Sequence, residues 1–261
     1  MTVFFHELKR GKVSLLIWSC AIAFMLGICV LIYPEMKTQM SDISEMFADM
    51  GSFSDAFGMD KINFGTFIGY FGVECGNVLG LGGALFASIL GISALAKEEK
   101  EHTAEFLLTH PVSREKVLAE KLLAVFSQII ILNLVSAIVT VLSVLAVGES
   151  VDAKVMLLLF LAYFMMQIEI SAVTFGISAF LKGNGLGIGL GIAVLMYFLN
   201  IMANLTENAM FLKYITPFGY TEGADIISNS AIEVKYLAAG LVFTVTGLVA
   251  AFLKYRKKDI G

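Results

Sequence analysis

Four polar side chains lie inside stretches of sequence that are otherwise apolar, and they are the residues best able to carry chemistry. Glu74 and Asn77 fall in one apolar run, and Gln167 and Glu169 fall in another. A carboxylate inside a bilayer costs free energy unless it is paired, hydrated or protonated. We therefore expect these side chains to face protein or a water-filled path, and we take them as candidate translocation or intramembrane polar residues.

Two roles remain open for the carboxylates. At helical spacing, Gln167 shares a polar stripe with serine and threonine residues, whereas Glu169 falls on the opposite side among small residues such as Ala172 and Gly176. A face of small residues suits close contact between helices. Hydrogen bonding within the protein and participation in transport are both compatible with this placement of Glu169, and the same alternatives hold for Glu74.

The sequence lacks the residues that an intramembrane protease or an ATPase would need. The three histidines, His6, His102 and His110, all lie outside the apolar runs, so no intramembrane nucleophile has a histidine base within its own segment. The chain contains no Gly-x-x-x-x-Gly-Lys-Ser/Thr phosphate-binding loop. Its three cysteines lie in or beside apolar runs without histidine neighbours, which suggests no zinc site. We predict a protein that is not an enzyme and that binds no cofactor or metal itself.

The elements that hold these residues are long apolar segments. Apolar residues make up 58% of the chain and its mean hydropathy is +0.84, which is more than a soluble domain of this length can bury. Runs of about 20 apolar residues are the length of a membrane-spanning helix. The sequence predicts an all-α, polytopic membrane protein with a single domain, residues 1–261, and six spans at about 13–33, 66–96, 122–147, 155–181, 186–202 and 236–253.

Lys and Arg residues orient these spans. Thirteen of the 18 fall in the segments that share a side with the N-terminus, 1–12, 97–121, 182–185 and 254–261. Basic residues favour the cytoplasmic side, so both termini are predicted to be cytoplasmic. The net charge of −4 comes from acidic residues on the other side, and no basic face for nucleic acid exists.

The first twelve residues, MTVFFHELKRGK, have apolar and charged side chains on opposite helical faces. Such a segment is typical of a helix that lies in the membrane interface before the chain turns inward. We therefore predict an N-terminal interfacial elbow helix, with an unstructured tail as the alternative.

One dense charged segment interrupts the apolar sequence. Eleven of the 25 residues in 97–121 are charged. Thr109-His110-Pro111 ends one short helix, and Ser113 can cap a second helix with Glu115 in its first turn. This second helix is predicted to continue through Lys121 into the third span. An ordered helical connection between spans 2 and 3 suits a docking surface for a cytoplasmic partner.

The same segment resembles the region after the second span in type-2 ABC transporter permeases, the membrane subunits of bacterial ABC exporters. That region has an acidic pair, a threonine, an acidic-Leu-Leu run and Pro-Val-Ser-Arg, and His102 stands here where glycine is usual. YITPFGYTEGADII, Tyr214–Ile227, is similar to the stretch before the family's last span, and HELKRGKVSLLIW resembles its N-terminal elbow. The matching residues that the resemblance assigns to coupling are Glu98, Glu99, Thr103, Glu105, Leu107, Leu108, Pro111, Ser113 and Arg114.

The resemblance implies a permease subunit in the bacterial plasma membrane that transports substrate across the lipid bilayer. A separate cytoplasmic ATP-binding subunit, carrying ATP and Mg²⁺, would dock on a coupling helix between spans 2 and 3. A second permease subunit, identical or related, would complete a dimer. The alternative is a non-transporting membrane scaffold or regulatory protein that recruits a cytoplasmic partner through the same segment.

Overall fold

The structure is a computed structural model, and it describes residues 2–48, 51, 54, 62, 63, 65–100, 113–181 and 183–256. Within these ranges, the side chains of residues 38, 40–48 and 97–100 are not described. The described residues form helices and turns and contain no strand, which confirms the all-α prediction. Six of the helices are long and apolar enough to cross a membrane, in agreement with the six predicted spans.

The first span belongs to a single long helix, α1, Thr2–Ala48. Residues 2–12 continue into the apolar run without a break, so a separate N-terminal elbow helix is not confirmed. Pro34 lies inside α1, just after the apolar run ends, where its missing N–H removes one helical hydrogen bond. The helix therefore extends well beyond the length that a membrane requires.

The second span consists of three consecutive helical pieces. The helix α2, Phe67–Cys75, begins after Thr66, whose hydroxyl accepts a hydrogen bond from Gly69 N at 3.3 Å. A π-helical segment, Gly76–Gly82, follows, and α3, Gly83–Lys100, completes the span. A π-helix within an α-helix is uncommon and is often found at functional positions.

The third and fourth spans begin at the side-chain caps that helices need for their first N–H groups. The helix α4, Arg114–Val147, is capped by Ser113, and it enters the third span without interruption, as the sequence predicts. The helix α5, Ala153–Ser178, is capped by Asp152, whose carboxylate accepts hydrogen bonds from Lys154 N and Val155 N.

The fifth span, α6, Leu186–Leu205, and the sixth, α8, Val234–Arg256, are joined by a segment that folds back into the bundle. This re-entrant segment, residues 206–229, contains two 3₁₀ helices, Glu207–Tyr214 and Pro217–Tyr220, and the helix α7, Gly223–Asn229. Thr216 Oγ1 donates a hydrogen bond to Met196 O at 2.7 Å, about 13 Å along α6 from its last residue. The distribution of charged residues in the sequence does not predict that this segment folds back into the bundle.

The bundle is built around α5. It packs mainly against α3 and α8, while α4 packs along α1. Leu26, Phe71, Phe86 and Leu159 are fully buried in the shared core. Large apolar side chains on the outer surfaces of the bundle are instead exposed, and this is the arrangement that lipid stabilises.

The two ends of the bundle are recognisable from contacts between spans. The basal end holds the N-terminus of α1, the end of α3 and the start of α4, because Lys121 Nζ contacts both Glu7 and Ala94 there. The distal end holds the α4–α5 connection, where Lys37 and Glu149 form an ion pair at 2.8 Å. The re-entrant segment enters from the distal end.

The helices α5 and α8 approach so closely that their backbones touch through glycine. A Cβ atom on Gly176 would lie 2.5 Å from Gly247 O and 2.9 Å from Gly247 Cα. Neither atom can move without moving a helix, so the crossing depends on the absence of a side chain.

We expect Gly176→Ala to lower the thermal unfolding midpoint of the purified protein in detergent, since a forced overlap in a packed core costs about 1–3 kcal/mol. The matched control is Gly191→Ala in α6, where a Cβ meets no atom within 4 Å. It should raise the midpoint slightly or leave it unchanged, because alanine favours a helix over glycine. Equal midpoints for the two variants would contradict the close crossing.

Candidate functional site

The connection between α3 and α4 carries most of the predicted coupling residues. Residues 97–100 continue α3 to its end, but the side chains of Glu98 and Glu99 are not described. The remaining predicted residues up to position 112 lie outside the described part of the chain, namely Thr103, Glu105, Leu107, Leu108 and Pro111. Ser113 and Arg114 are described and mark the beginning of α4.

The beginning of α4 is fixed by a cap and by contacts with the end of α8. Ser113 Oγ accepts a hydrogen bond from Lys116 N at 3.4 Å, as the sequence predicts. Arg114 Nη1 donates to Arg256 O at 3.4 Å, and Arg256 Nε lies 3.2 Å from Glu115 Oε1. The side chains of Arg256 and Glu115 are 64% and 57% exposed, so their pair contributes little stability. It nevertheless places the last span beside the α3–α4 connection.

Two turns further along α4, a buried lysine joins three helices. Lys121 is 2% exposed, and its Nζ donates hydrogen bonds to Glu7 Oε1 in α1 and to Ala94 O in α3, both at 2.9 Å. A buried ammonium without a carboxylate partner would be strongly disfavoured. Separating α1 from α4 would therefore break the buried ion pair between Lys121 and Glu7.

Its neighbour Glu120 binds the first turn of α1. Glu120 Oε2 accepts hydrogen bonds from Val3 N at 3.0 Å and Phe4 N at 3.1 Å. The first N–H groups of a helix have no partner in the helix and carry partial positive charge, so a carboxylate stabilises them. We refer to Glu7, Glu120 and Lys121 as the basal cluster. It joins the N-terminus of α1 to the helices on both sides of the α3–α4 connection.

The sequence pattern does not identify the basal cluster as a site. The available signal was the position of Glu120 and Lys121, immediately before an apolar run of membrane length. Charges at that depth need partners. The partner Glu7 is 114 positions away along the chain, and no local pattern indicates it.

In the middle of the bundle, Gln167 joins the second, third and fourth spans. It is fully buried in α5, and its Oε1 accepts a hydrogen bond from Asn133 Nδ2 at 2.6 Å. Its Nε2 donates to Leu79 O in the π-helical segment at 3.3 Å. A Cβ on Gly83 would collide with the same Nε2 atom, so glycine makes room for the amide. Gln167 is therefore a point of contact between spans.

Glu169, two residues further along α5 and on the opposite face of the helix, contacts the re-entrant segment. Glu169 is 4% exposed, and its Oε2 accepts a hydrogen bond from Tyr220 Oη at 2.8 Å. On the other side, a Cβ on Gly240 of α8 would collide with Oε2. The small residues around Glu169 thus leave space for a carboxylate that holds Tyr220 in place.

The other two predicted polar residues lie elsewhere. Glu74 is half-buried in α2, with its Oε2 3.8 Å from Cys29 Sγ in α1. Asn77 is exposed in the π-helical segment, at the edge of a cavity in the distal half. The structure therefore does not bring the four residues together, and it places Gln167 and Glu169 in separate hydrogen-bonded groups.

The arrangement as a whole suits the transmission of movement. The described residues contain no group of three His, Cys, Asp or Glu side chains that could hold a metal ion. What they contain are polar contacts between spans at the basal end and in the middle of the bundle. These contacts join the beginning of α4 to α1 and α3, and they join α4 to α5 through Asn133 and Gln167.

The contact between Glu169 and Tyr220 yields a stability test. We expect Tyr220→Phe to lower the free energy of unfolding by about 1–3 kcal/mol, because it leaves a buried carboxylate without its donor. Glu169→Gln should cost less, since an amide oxygen can still accept from the Tyr220 hydroxyl. Chemical unfolding in detergent measures both values. Tyr214→Phe, at a tyrosine that is 46% exposed, is the control, and an equal effect there would refute a specific role for the contact.

Comparison with known proteins adds to this geometry. A family model described as "ABC-2 family transporter protein" matches residues 1–260 of the 261-residue chain. The search among curated proteins gives no match. The family match extends over the predicted coupling segment, all six spans and the re-entrant segment, and it agrees with the resemblance to type-2 permeases seen in the sequence. On these grounds the chain belongs to the ABC-2 transporter family and is the membrane-embedded permease subunit of an ABC transporter.

Proposed function

We propose that this permease subunit exports a substrate across the bacterial plasma membrane at the expense of ATP. A separate ATP-binding subunit supplies the hydrolysis and binds ATP and Mg²⁺, while this chain binds neither. Two permease subunits, identical or related, pair to form the transporter. The family match over residues 1–260 supports the ABC assignment, and the contacts at the basal end support coupling through the α3–α4 connection.

In this proposal the basal end faces the cytoplasm, together with both termini. Thirteen Lys and Arg residues lie in segments on this side and five on the other. Such an excess is typical of cytoplasmic segments. The ATP-binding subunit then meets the permease at the α3–α4 connection, and the re-entrant segment enters from the outer face.

The observation that carries the coupling proposal is the burial of Lys121 between Glu7 and Ala94 O. The proposed docking residues, Glu98 to Arg114, extend along the chain from the last turn of α3 to the first residue of α4. When the ATP-binding subunits close, they displace this connection. Because the basal cluster links α4 to α1 and α3, the three helices move together rather than separately.

Movement then reaches the interior of the bundle through polar contacts. Asn133 and Gln167 connect α4 to α5 and to the π-helical segment. Glu169 connects α5 to the re-entrant segment through Tyr220. We propose that displacement at the basal end shifts this segment and thereby opens or closes a path on the distal side.

Single cysteines test the orientation. In a cysteine-free background, cysteines at Ser150 and Ser230 should react with an impermeant thiol reagent in intact cells, because both lie near the distal end. A cysteine at Lys257 should react only after lysis. Labelling at Lys257 in intact cells would reverse the orientation and place the α3–α4 connection outside.

Substitutions at the basal end test coupling. Replacing Leu107 and Leu108 with serine removes roughly 2–5 kcal/mol of burial if these residues dock. The ATP-binding subunit should then be lost on purification. Lys121→Met should retain that subunit and its ATP hydrolysis but strongly reduce the ATP-dependent change in labelling of a distal cysteine, since the contacts of Lys121 with α1 and α3 are lost while those of Glu120 remain.

The control for both is Lys116→Met, at an exposed lysine on the same helix, which should retain the bound subunit and the labelling change. All variants are first compared by size-exclusion chromatography, so that misfolding is separated from uncoupling. Retention of the bound subunit and of the labelling change in all three variants would eliminate the coupling role of this region.

A further inference from the structure

The distal half of the bundle contains a cavity, lined by both polar and apolar residues, that the coupling mechanism does not use. Its volume is about 70 Å³, and it lies between the second span, α5, α6 and the re-entrant segment. Asn77, Tyr163, Tyr197, Asn200 and Glu222 are among the residues that line it. At about 30 Å³ for a water molecule in the liquid, the cavity has room for a group of only a few heavy atoms.

Glu222 supplies the negative charge of the cavity. Its Oε2 accepts hydrogen bonds from Asn200 Nδ2 at 3.1 Å and from Asn204 Nδ2 at 3.0 Å. The two amides fix the position of the carboxylate without neutralising it. Among the described residues, no Lys, Arg or His forms an ion pair with Glu222. A carboxylate held in place without a cation suits a positively charged ligand.

Other groups in and beside the cavity are hydrogen-bond acceptors. Tyr163 is 2% exposed, lines the cavity, and forms no hydrogen bond with the described part of the chain. Asn200 Nδ2 is committed to Glu222, and the buried Oδ1 of the same amide has no partner there either. Buried polar groups of folded proteins are normally paired. The unpaired amide oxygen of Asn200, together with a carboxylate and a hydroxyl that can accept, favours a ligand that donates several hydrogen bonds.

Three aromatic residues form part of the cavity wall. Tyr163 and Tyr197 line it together with Phe218, and the rings of Tyr197 and Phe218 meet edge to face with centroids 5.5 Å apart. The face of an aromatic ring attracts a cation through its quadrupole. Gly76 permits this arrangement, because a Cβ there would lie 3.0 Å from the Tyr163 hydroxyl oxygen.

We propose that this cavity is a binding site for a small primary ammonium group. A primary ammonium carries one positive charge, which matches the single carboxylate, and three N–H donors, which match the surrounding acceptors. A divalent metal ion would be poorly held, because it prefers six or more oxygen ligands and usually several carboxylates. The ammonium group belongs either to a soluble amine or to the ethanolamine headgroup of a lipid.

Asn200 lines the site. By the rise per residue of an α-helix, it lies about 7.5 Å along α6 from the distal end of that helix. With the proposed orientation, an amine would reach the site from the outer half of the membrane. Only this direction of entry rests on the proposed function. Occupation of the site would tie α6 and the re-entrant segment to the second span and α5. The proposal concerns binding to the permease chain, so it can be tested without ATP and without the partner subunit.

Isothermal titration of the purified full-length chain in detergent with methylammonium chloride tests the site. Wild type should give saturable binding that sodium chloride at the same ionic strength does not reproduce. Glu222→Gln should weaken binding by about tenfold or more, since a hydrogen bond to a charged group accounts for at least that factor. Glu207→Gln, at an exposed carboxylate in the same segment, should bind as wild type does.

One further variant and two lipid compositions complete the experiment. If Glu222→Gln does not fold, Tyr163→Phe decides, because it keeps the ring and should still weaken methylammonium binding. In nanodiscs of phosphatidylcholine, binding should persist. Its loss in phosphatidylethanolamine nanodiscs would identify the lipid headgroup as the natural source, whereas its retention would identify a soluble amine. Equal affinity for sodium, or unchanged affinity in Glu222→Gln and Tyr163→Phe, would overturn the proposal.

Discussion

The amide of Gln167 is the contact on which the rest of the bundle depends. In a membrane, apolar side chains gain little by leaving lipid for protein, so helices are positioned by close packing and by hydrogen bonds between spans. Gln167 accepts from Asn133 and donates to Leu79 O, and therefore fixes three spans at one depth. The neighbouring Gly83 is required for the same reason, since a side chain there would displace the amide.

Hydrogen bonds between helices position the spans both in the middle of the bundle and at its basal end, but the groups that form these bonds differ. In the middle, two amides bond to each other and to backbone carbonyls, and the Glu169 carboxylate accepts from a hydroxyl. At the basal end, where water is near, a lysine and two glutamates join helix ends by charge-assisted hydrogen bonds. The charge-assisted contacts thus lie beside the proposed docking region, and the contacts between neutral groups lie in the middle of the bundle.

The sequence predicts the helices better than it predicts their contacts. Apolar runs of membrane length locate all six spans, and Ser113 followed by Glu115 locates the beginning of α4, because both signals are local. The return of residues 206–229 into the bundle is not predicted. The motif around Pro217 and Tyr220 was noted as a family resemblance, but nothing in its composition indicates that it enters the membrane region.

The candidate site shows the same limit. Glu169 stands out in the sequence as a buried carboxylate, but its partner Tyr220 is 51 positions away. Glu222 was not identified at all, since an acidic residue between two predicted spans is unremarkable until the fold places it against Asn200 and Asn204. Conversely, Glu74, Asn77 and Gln167 were grouped by their polarity, and the structure separates them because helical position decides which neighbours each side chain meets.

The π-helical segment Gly76–Gly82 has a consequence for how the chain can vary in evolution. The wider turn of a π-helix holds one residue more than an α-helix of the same length. Each residue of an α-helix turns the chain by about 100°. Loss of a single residue here would let the second span become a continuous α-helix. Everything on its distal side would then rotate relative to α3, so that Glu74 would face a different neighbour. A relative that lacks this extra residue would still align in sequence with the chain on both sides of the one-residue gap. It would nevertheless present different side chains to α5 and to the re-entrant segment.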